Sequence, residues 1–255
     1  MISSVSKIQC FENCHMRYKL TYIDKVAQEQ SNVFEKGKTL HFILENLEYY
    51  DIIKDFFESD VGKKLYSIIK DGIKEKRIAL KIKDGQVIPC DYDDHHALMR
   101  GVIDVVNENY IIDYKSGKYC EYVNQKWLQL EFYALWLFLT SKYDEITVSY
   151  VYIEHNKTNT KTIKRSDLNS IVRNIFSRIK ELTNFENNPT QDHNISPLCE
   201  YCSVRNSCKP YTEMKNQDSF TYQCGKYLIF VTKTIPDSFL FQNFFPIVLY
   251  IIITI

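Results

Sequence analysis

Two short runs in this chain place acids and an amine where they could work together. The first is Gly101-Val102-Ile103-Asp104; the second, across a short polar turn, is Ile111-Ile112-Asp113-Tyr114-Lys115-Ser116-Gly117. Each acid ends an apolar run, and residues two apart on a strand share a face, so Asp113 and Lys115 are expected to point the same way. Two carboxylates at the tips of neighbouring strands suit Mg²⁺ or Mn²⁺, hard cations that prefer oxygen ligands. The lysine can orient or deprotonate an attacking water and stabilise a pentavalent phosphate. A lone Asp-x-Lys is ordinarily a solvated turn, but this one has company. Gln129 and Tyr133 lie four apart on the helix that comes next and can reach the same cleft. Gly37-Lys38-Thr39-Leu40-His41 puts an imidazole, a nitrogen ligand when neutral, on an upstream helix.

Thiols form a second constellation. Cys199-Glu200-Tyr201-Cys202 followed by Cys208 puts three of them within ten positions, and soft sulfur ligands at such spacing select zinc or an iron-sulfur cluster. A fourth ligand is required. One arrangement is a zinc site from Cys10, Cys14, Cys199 and Cys202 that leaves Cys208 free; the other is a cluster on the Cys199, Cys202, Cys208 triplet. Met1-Ile2-Ser3-Ser4-Val5-Ser6-Lys7 lacks the apolar core of a secretory signal, so a reducing, cytoplasmic setting is expected and the 8 cysteines are read as metal ligands rather than a disulfide framework. Cys90, Cys120 and Cys224 read as buried or incidental thiols.

The elements that must carry these residues emerge from periodicity. Helices are expected from Ser4 to about Asp24, from Phe34 to about Tyr50 and over Leu65 to Ile73. Strands are expected over Ile78 to Ile82, Val87 to Cys90, Leu98 to Val106 and Tyr110 to Tyr114, with Lys83-Asp84-Gly85 and Asn107-Glu108-Asn109 as turns. A helix from Val123 to about Leu139, a strand from Ile146 to Ile153 and a helix opened by Ser166 complete an α/β order with a mixed sheet. With 32 basic and 32 acidic residues there is no global basic field of the kind that advertises a nucleic-acid partner, so any DNA binding must come from a local cleft. The apolar stretch Phe239 to Ile255 is interrupted by Gln242, Asn243 and Pro246, and the uninterrupted run after Pro246 is about half the roughly 20 residues a membrane helix needs. A terminal buried strand or an oligomer contact is expected there rather than a membrane anchor.

The set G-x-x-x-H, G-x-x-D, D-x-K and Q-x-x-x-Y, in this order, resembles the RecB-type branch of the PD-(D/E)XK nucleases over roughly residues 1 to 210. The resemblance implies a restriction-endonuclease-like core whose mixed central sheet is flanked by helices. It implies metal binding by His41, Asp104, Asp113 and the Tyr114 carbonyl, catalysis by Lys115 with both acids, and substrate or supporting contacts by Gln129 and Tyr133; Glu75 is a secondary candidate for an acid on the preceding strand. Cys14 has the surroundings of the N-terminal cluster ligand in the iron-sulfur members, which are similar to CRISPR-associated exonucleases. It would join Cys199, Cys202 and Cys208 in a 4Fe-4S cluster that staples the two ends of a domain spanning 1–212, with 213–255 as an extension. The activity implied is an exonuclease on single-stranded DNA ends in repair, recombination or CRISPR adaptation, with proteins of those systems as partners and a homo-oligomer open. Tyr119, Tyr122 and Trp127 are candidate stacking groups for bases. The alternative is a zinc- or cluster-bearing, non-catalytic DNA-binding subunit.

Overall fold

The computed structural model describes residues 2–29, 32–47, 53–215, 219–224, 227–232 and 251–254, with side chains for 2–29, 37–47, 53–123, 125–196 and 199–215. The elements in chain order are β1 (Ser3–Ser4), α1 (Val5–Asn13), α2 (His15–Tyr18), α3 (Asn32–Asn46), α4 (Lys54–Glu58), α5 (Asp60–Asp71), β2 (Ile73–Lys83), β3 (Gln86–Cys90), β4 (Met99–Asn107), β5 (Tyr110–Lys115), α6 (Leu128–Thr140), β6 (Glu145–Tyr152), β7 (Lys157–Lys164), α7 (Leu168–Asn187), α8 (Lys209–Lys215), β8 (Ser219–Cys224), β9 (Tyr227–Thr232) and β10 (Ile251–Thr254). Contacts divide the chain into two compact units. One is Met1–Gln9 with Asn32–Asn187, the other Cys10–Ser31 with Asn188–Ile255.

The first unit is built on a seven-stranded sheet in the order β3-β2-β4-β5-β6-β7, with β1 parallel to the start of β4. Asp84 and Gly85, both at positive φ, make the tight turn that lets β2 fold back on β3, as the pair Asp-Gly favours. β5 and β6 are also parallel neighbours, and α6 is the crossover between them, the connection such a pair requires. α6 is apolar almost all round and buries Leu128, Leu130, Phe132, Tyr133, Ala134, Leu135, Leu137 and Phe138, so it lies between the sheet and α7, whose Ile171, Ile175, Ile179 and Leu182 form a buried stripe at helical spacing. On the other face, Ile43, Leu44, Phe56, Phe57, Leu65 and Ile69 from α3 to α5 pack on Val105, Ile112, Tyr114 and Val151. The result is a mixed, mostly antiparallel sheet with helices on both faces.

The second unit holds a small apolar cluster of Met16, Leu20 and Val204, against which Cys14, Cys202 and Cys208 pack. It also contains the antiparallel sheet β10-β9-β8. In the apolar tail, for which a buried strand or an oligomer contact is expected, Ile251–Thr254 forms a strand paired with β9; the rest of that tail, 239–250 and 255, lies outside the described residues. Among the described residues no helix is long and apolar enough to cross a membrane.

The structure departs from the sequence-based expectations in several places. The helix expected to reach Ile73 ends at Asp71, and Ile73 opens β2, a strand expected only from Ile78. The first helix breaks at Cys14, whose backbone is extended and whose sulfur accepts a hydrogen bond from the Arg17 amide at 3.5 Å, and it continues beyond α2 as a wider turn over Lys19–Ile23. The helix placed from Val123 begins at Leu128 instead, because Glu121 to Lys126 is spent in a loop held to the sheet by side-chain hydrogen bonds. β7 has no counterpart among the expected strands. Its sequence Lys-Thr-Asn-Thr-Lys-Thr-Ile-Lys lacks an apolar face because it is the edge strand, where lysines are tolerated and discourage further pairing. Ser166 does not cap the last long helix; Asp167 closes the turn before it by accepting the Lys164 amide at 3.0 Å.

Gly101 shows how closely α6 approaches. A Cβ there would meet Phe132 Cε1 at 2.8 Å and Tyr133 Cε1 at 2.9 Å, inside van der Waals contact. Gly101→Val is therefore expected to push α6 from β4 and to destabilise the fold by about 1–3 kcal/mol, read as a lowered midpoint in chemical denaturation.

Candidate active site

The hairpin of β4 and β5 pairs Asn107 with Tyr110, Val106 with Ile111 and Val105 with Ile112, and then stops. One step beyond, Asp104 faces Asp113. The Asp104 carboxylate enters the gap and accepts the Tyr114 amide at 2.6 Å through Oδ2. On the other flank of β4, the register with β2 runs through Lys74–Val105 and Lys76–Ile103, which puts Glu75 opposite Asp104. Glu75 sits at φ +47° in mid-strand, a left-handed conformation costing of order 1–3 kcal/mol that persists where its surroundings impose it and clusters at functional sites. Three acids thus lie across three strands. Neither Asp104 nor Asp113 ends its strand, contrary to the sequence-based placement: pairing of β4 with β2 and of β5 with β6 carries the strands past both acids.

His41 comes from α3, its Nδ1 3.4 Å from Asp104 Oδ1 and its ring edge-on to Tyr114 at 5.8 Å. Gly37, one turn earlier, is close enough to Ser116 Oγ that a Cβ would stand 3.0 Å from it, so α3 rests against the end of β5. His41, Glu75 and Asp104 each offer a ligand atom within 4.8 Å of the others, the one such group among the described residues. Asp113 is engaged differently: its Oδ2 lies 2.7 Å from Lys115 Nζ. Lys115 also donates to Gln129 Oε1 at 3.0 Å, Gln129 Nε2 donates to the Tyr133 hydroxyl at 2.9 Å, and that hydroxyl donates to the Val102 carbonyl at 2.6 Å. Val102 pairs with Arg77 of β2 on one flank of β4 and lies beyond the registers of β1 and β5 on the other, so Tyr133 ties α6 to β4 beside the point where the hairpin ladder stops.

Charge and burial oppose one another here. Burial pushes the Asp113 carboxyl above its usual range, with the Lys115 ammonium opposing and the Asp104 charge adding to the rise. Glu75 is raised by burial, then by Asp104. His41 is raised by its hydrogen bond to Asp104, opposed by burial. Crowded, partly desolvated carboxylates beside an imidazole form a donor set that a divalent cation fits, because its charge relieves the repulsion and its preference is for oxygen.

The structure brings His41, Asp104, Asp113, Lys115, Gln129 and Tyr133 together, with the Tyr114 main chain against Asp104. It adds Glu75, which sequence reasoning holds only as secondary: Lys74-Glu75-Lys76-Arg77 reads as a solvated charge run. Its strand register opposite Asp104 is the signal that identifies it.

In the second unit, Cys14, Cys199, Cys202 and Cys208 line one cavity of about 260 Å³ with Arg17, Arg205 and Tyr211. Burial raises the Cys199 and Cys208 thiols, and neighbouring sulfurs raise them further. Among the described residues no three of these sulfurs lie within 4.8 Å of one another. Cys10 is buried nearby, its thiol pushed up to about 11 by burial, but it does not line the cavity.

Residues 73–209, more than half of the chain, match the PD-(D/E)XK nuclease superfamily. The chain belongs to that superfamily: it is a nuclease, a hydrolase of phosphodiester bonds. Among solved structures, the crystal structure of SSO0001 is similar at 17% identity and TM-score 0.43, covering 82% of this chain and 86% of that one. The "Putative exonuclease" from Eubacterium rectale is similar at 13% identity and TM-score 0.46, covering 81% and 87%. No curated protein matches the chain.

The raised Asp113 carboxyl has a consequence for stability. Folding takes up a proton there, so the metal-free protein is more stable in mild acid and loses that stability as pH rises through the raised value. Asp113→Asn removes the buried charge, and in chelator it should raise the melting temperature at pH 8, with the gain vanishing as pH falls into the ordinary carboxylate range.

Proposed function

We propose that this protein hydrolyses DNA phosphodiester bonds with Mg²⁺ or Mn²⁺ held by His41, Asp104 and Asp113, the Tyr114 carbonyl and Glu75, and that it acts as an exonuclease on single-stranded ends. The observation that carries the reading is the convergence of three acids and one imidazole beside a lysine tethered between two partners. A bound divalent cation supplies a Lewis acid at the phosphate and lowers the pKa of the attacking water. The imidazole nitrogen in the set favours Mn²⁺ over Mg²⁺. Lys115, held between Asp113 and Gln129, keeps its ammonium on the reacting face, where it orients the water and offsets negative charge developing on the phosphate. Gln129 and Tyr133 act as positioning residues: their hydrogen bonds run from the Val102 carbonyl to Lys115 and fix the amine before substrate arrives. The single-stranded end and a role in repair, recombination or CRISPR adaptation rest on the family resemblance. Lys115→Ala should lower cleavage of single-stranded DNA about 10²–10⁴-fold with Mn²⁺ present, and Asp104→Ala should abolish it; cleavage unchanged in both would favour a non-catalytic DNA-binding role.

The reading extends to the thiol cavity, where Cys14, Cys199, Cys202 and Cys208 would hold a 4Fe-4S cluster. Cys14 with the Cys199, Cys202, Cys208 triplet is the set that the family resemblance implies for a cluster, and all four line the same cavity. Such a clip joins segments far apart in the chain and removes unfolded-state entropy that grows with the logarithm of the loop. Protein purified without oxygen should absorb broadly in the visible and carry iron and sulfide in equal amounts, both lost in Cys199→Ser and kept in Cys10→Ser. A colourless protein with one zinc would sink the cluster.

A further inference from the structure

The face of the sheet that bears Asp113 and Lys115 does not end at the acids. In the continuous ladder of β5, β6 and β7, Asp113 stands beside Tyr150 and Tyr150 beside Asn159, while Lys115 stands beside Tyr152 and Tyr152 beside Lys157. From Lys115 outward a run of three rings follows, with amines lying over the rings of this face. Lys115 Nζ is 4.7 Å from the Tyr150 ring, Tyr150 is 5.7 Å from Trp127, and Trp127 is 5.2 Å from Tyr122. Lys161 lies over Trp127 at 5.2 Å, and Lys157 over Tyr119 at 4.5 Å. The outermost ring, Tyr122, is 49% exposed and its neighbour Val123 is 83% exposed.

An exposed tyrosine on a loop is ordinarily loose; this one is carried by a pinned loop. Asn159, buried on β7, donates to the Cys120 carbonyl at 2.7 Å and to Gln125 Oε1 at 3.0 Å and accepts the Tyr119 hydroxyl at 3.2 Å. The Tyr152 hydroxyl donates to Gln125 Oε1 at 2.7 Å, and the Tyr150 hydroxyl to the Lys126 carbonyl at 3.2 Å. Polar groups of the sheet thus hold the loop on both sides of Tyr122 and present its ring to solvent. Rings that accept any base, interleaved with amines that meet phosphates, are how single strands are gripped without sequence preference. A duplex keeps its bases stacked on one another and offers no ring to Tyr122.

We propose that Tyr122, backed by Trp127, is a stacking shelf that holds single-stranded DNA on the approach to Lys115, with Lys157, which lies over the Tyr119 ring of the same loop, as the amine that meets the strand's backbone. The proposal rests on the nuclease reading for its substrate but is tested without catalysis. Binding of labelled oligo(dT) to the full chain is monitored by fluorescence anisotropy in chelator, where nothing is cut. Tyr122→Ala should bind about tenfold more weakly, Tyr122→Trp should restore binding, and binding to a duplex should change in neither. Lys157→Ala should also weaken binding, and it should reduce the slope of log affinity against log salt by about 0.7, the contribution of one phosphate contact on a single strand. Wild-type affinity for oligo(dT) in Tyr122→Ala, or equal losses for single strand and duplex, would overturn the shelf and leave the Lys115→Ala test of hydrolysis standing. Tighter binding of oligo(rU) than oligo(dT) would overturn the assignment to DNA.

Discussion

The candidate site depends on one hydrogen bond that a side chain makes in place of the backbone. Asp104 accepts the Tyr114 amide at the point where the β4 and β5 ladder ends, so the two strands can part without leaving that donor unpaired in a buried place. Had a main-chain carbonyl taken the bond, the strands would run on in register and the acids would be separated by a closed ladder. On the same strand the Val102 carbonyl accepts the Tyr133 hydroxyl, and Tyr133 reaches Lys115 through Gln129. The open end of the hairpin and the held amine thus share one strand and one network of buried hydrogen bonds.

The helices have correspondingly different tasks. α6 must approach β4 closely enough for Tyr133 to reach Val102, which explains why a glycine stands at 101 and why the helix is apolar on nearly every side. α3 contributes the one nitrogen donor from the opposite layer, and Gly37 lets it rest against Ser116 at the end of β5. Acids come from the sheet, where neighbouring strands fix their spacing; the groups that adjust them come from helices above and below. The crowding is itself destabilising without a cation, as the raised Glu75 and Asp113 carboxyls record, and that conflict between a comfortable fold and a competent site is common where chemistry is done.

Much of this is legible in the residues. The alternation of apolar residues and the turn residues Lys83-Asp84-Gly85 and Asn107-Glu108-Asn109 mark the strands, and the four-residue spacing of Gln129 and Tyr133 puts both on one face of α6. What escapes is whatever depends on partners remote in sequence. β7 reads as polar because only one of its edges is paired. Glu75 hides in a charged run because its meaning comes from the residue across the ladder. The loop before α6 reads as part of the helix because the pull of Asn159 and Tyr152 on its backbone leaves no local signature. Sequence periodicity reports burial along one element; it does not report which polar group a neighbouring strand will offer.

The second unit is assembled from two segments that flank most of the first, Cys10–Ser31 and Asn188–Ile255. A chain emerging from the ribosome therefore exposes Cys14 early and then makes the whole sheet that carries the acids, β2 through α7, before Cys199, Cys202 and Cys208 exist. Domains fold as units while synthesis proceeds, so the sheet with its acids can consolidate while Cys14 waits without its three companions. Synthesis order follows from the topology: the strands that carry the acids are made first, and the last three cysteines of the thiol cavity only after them.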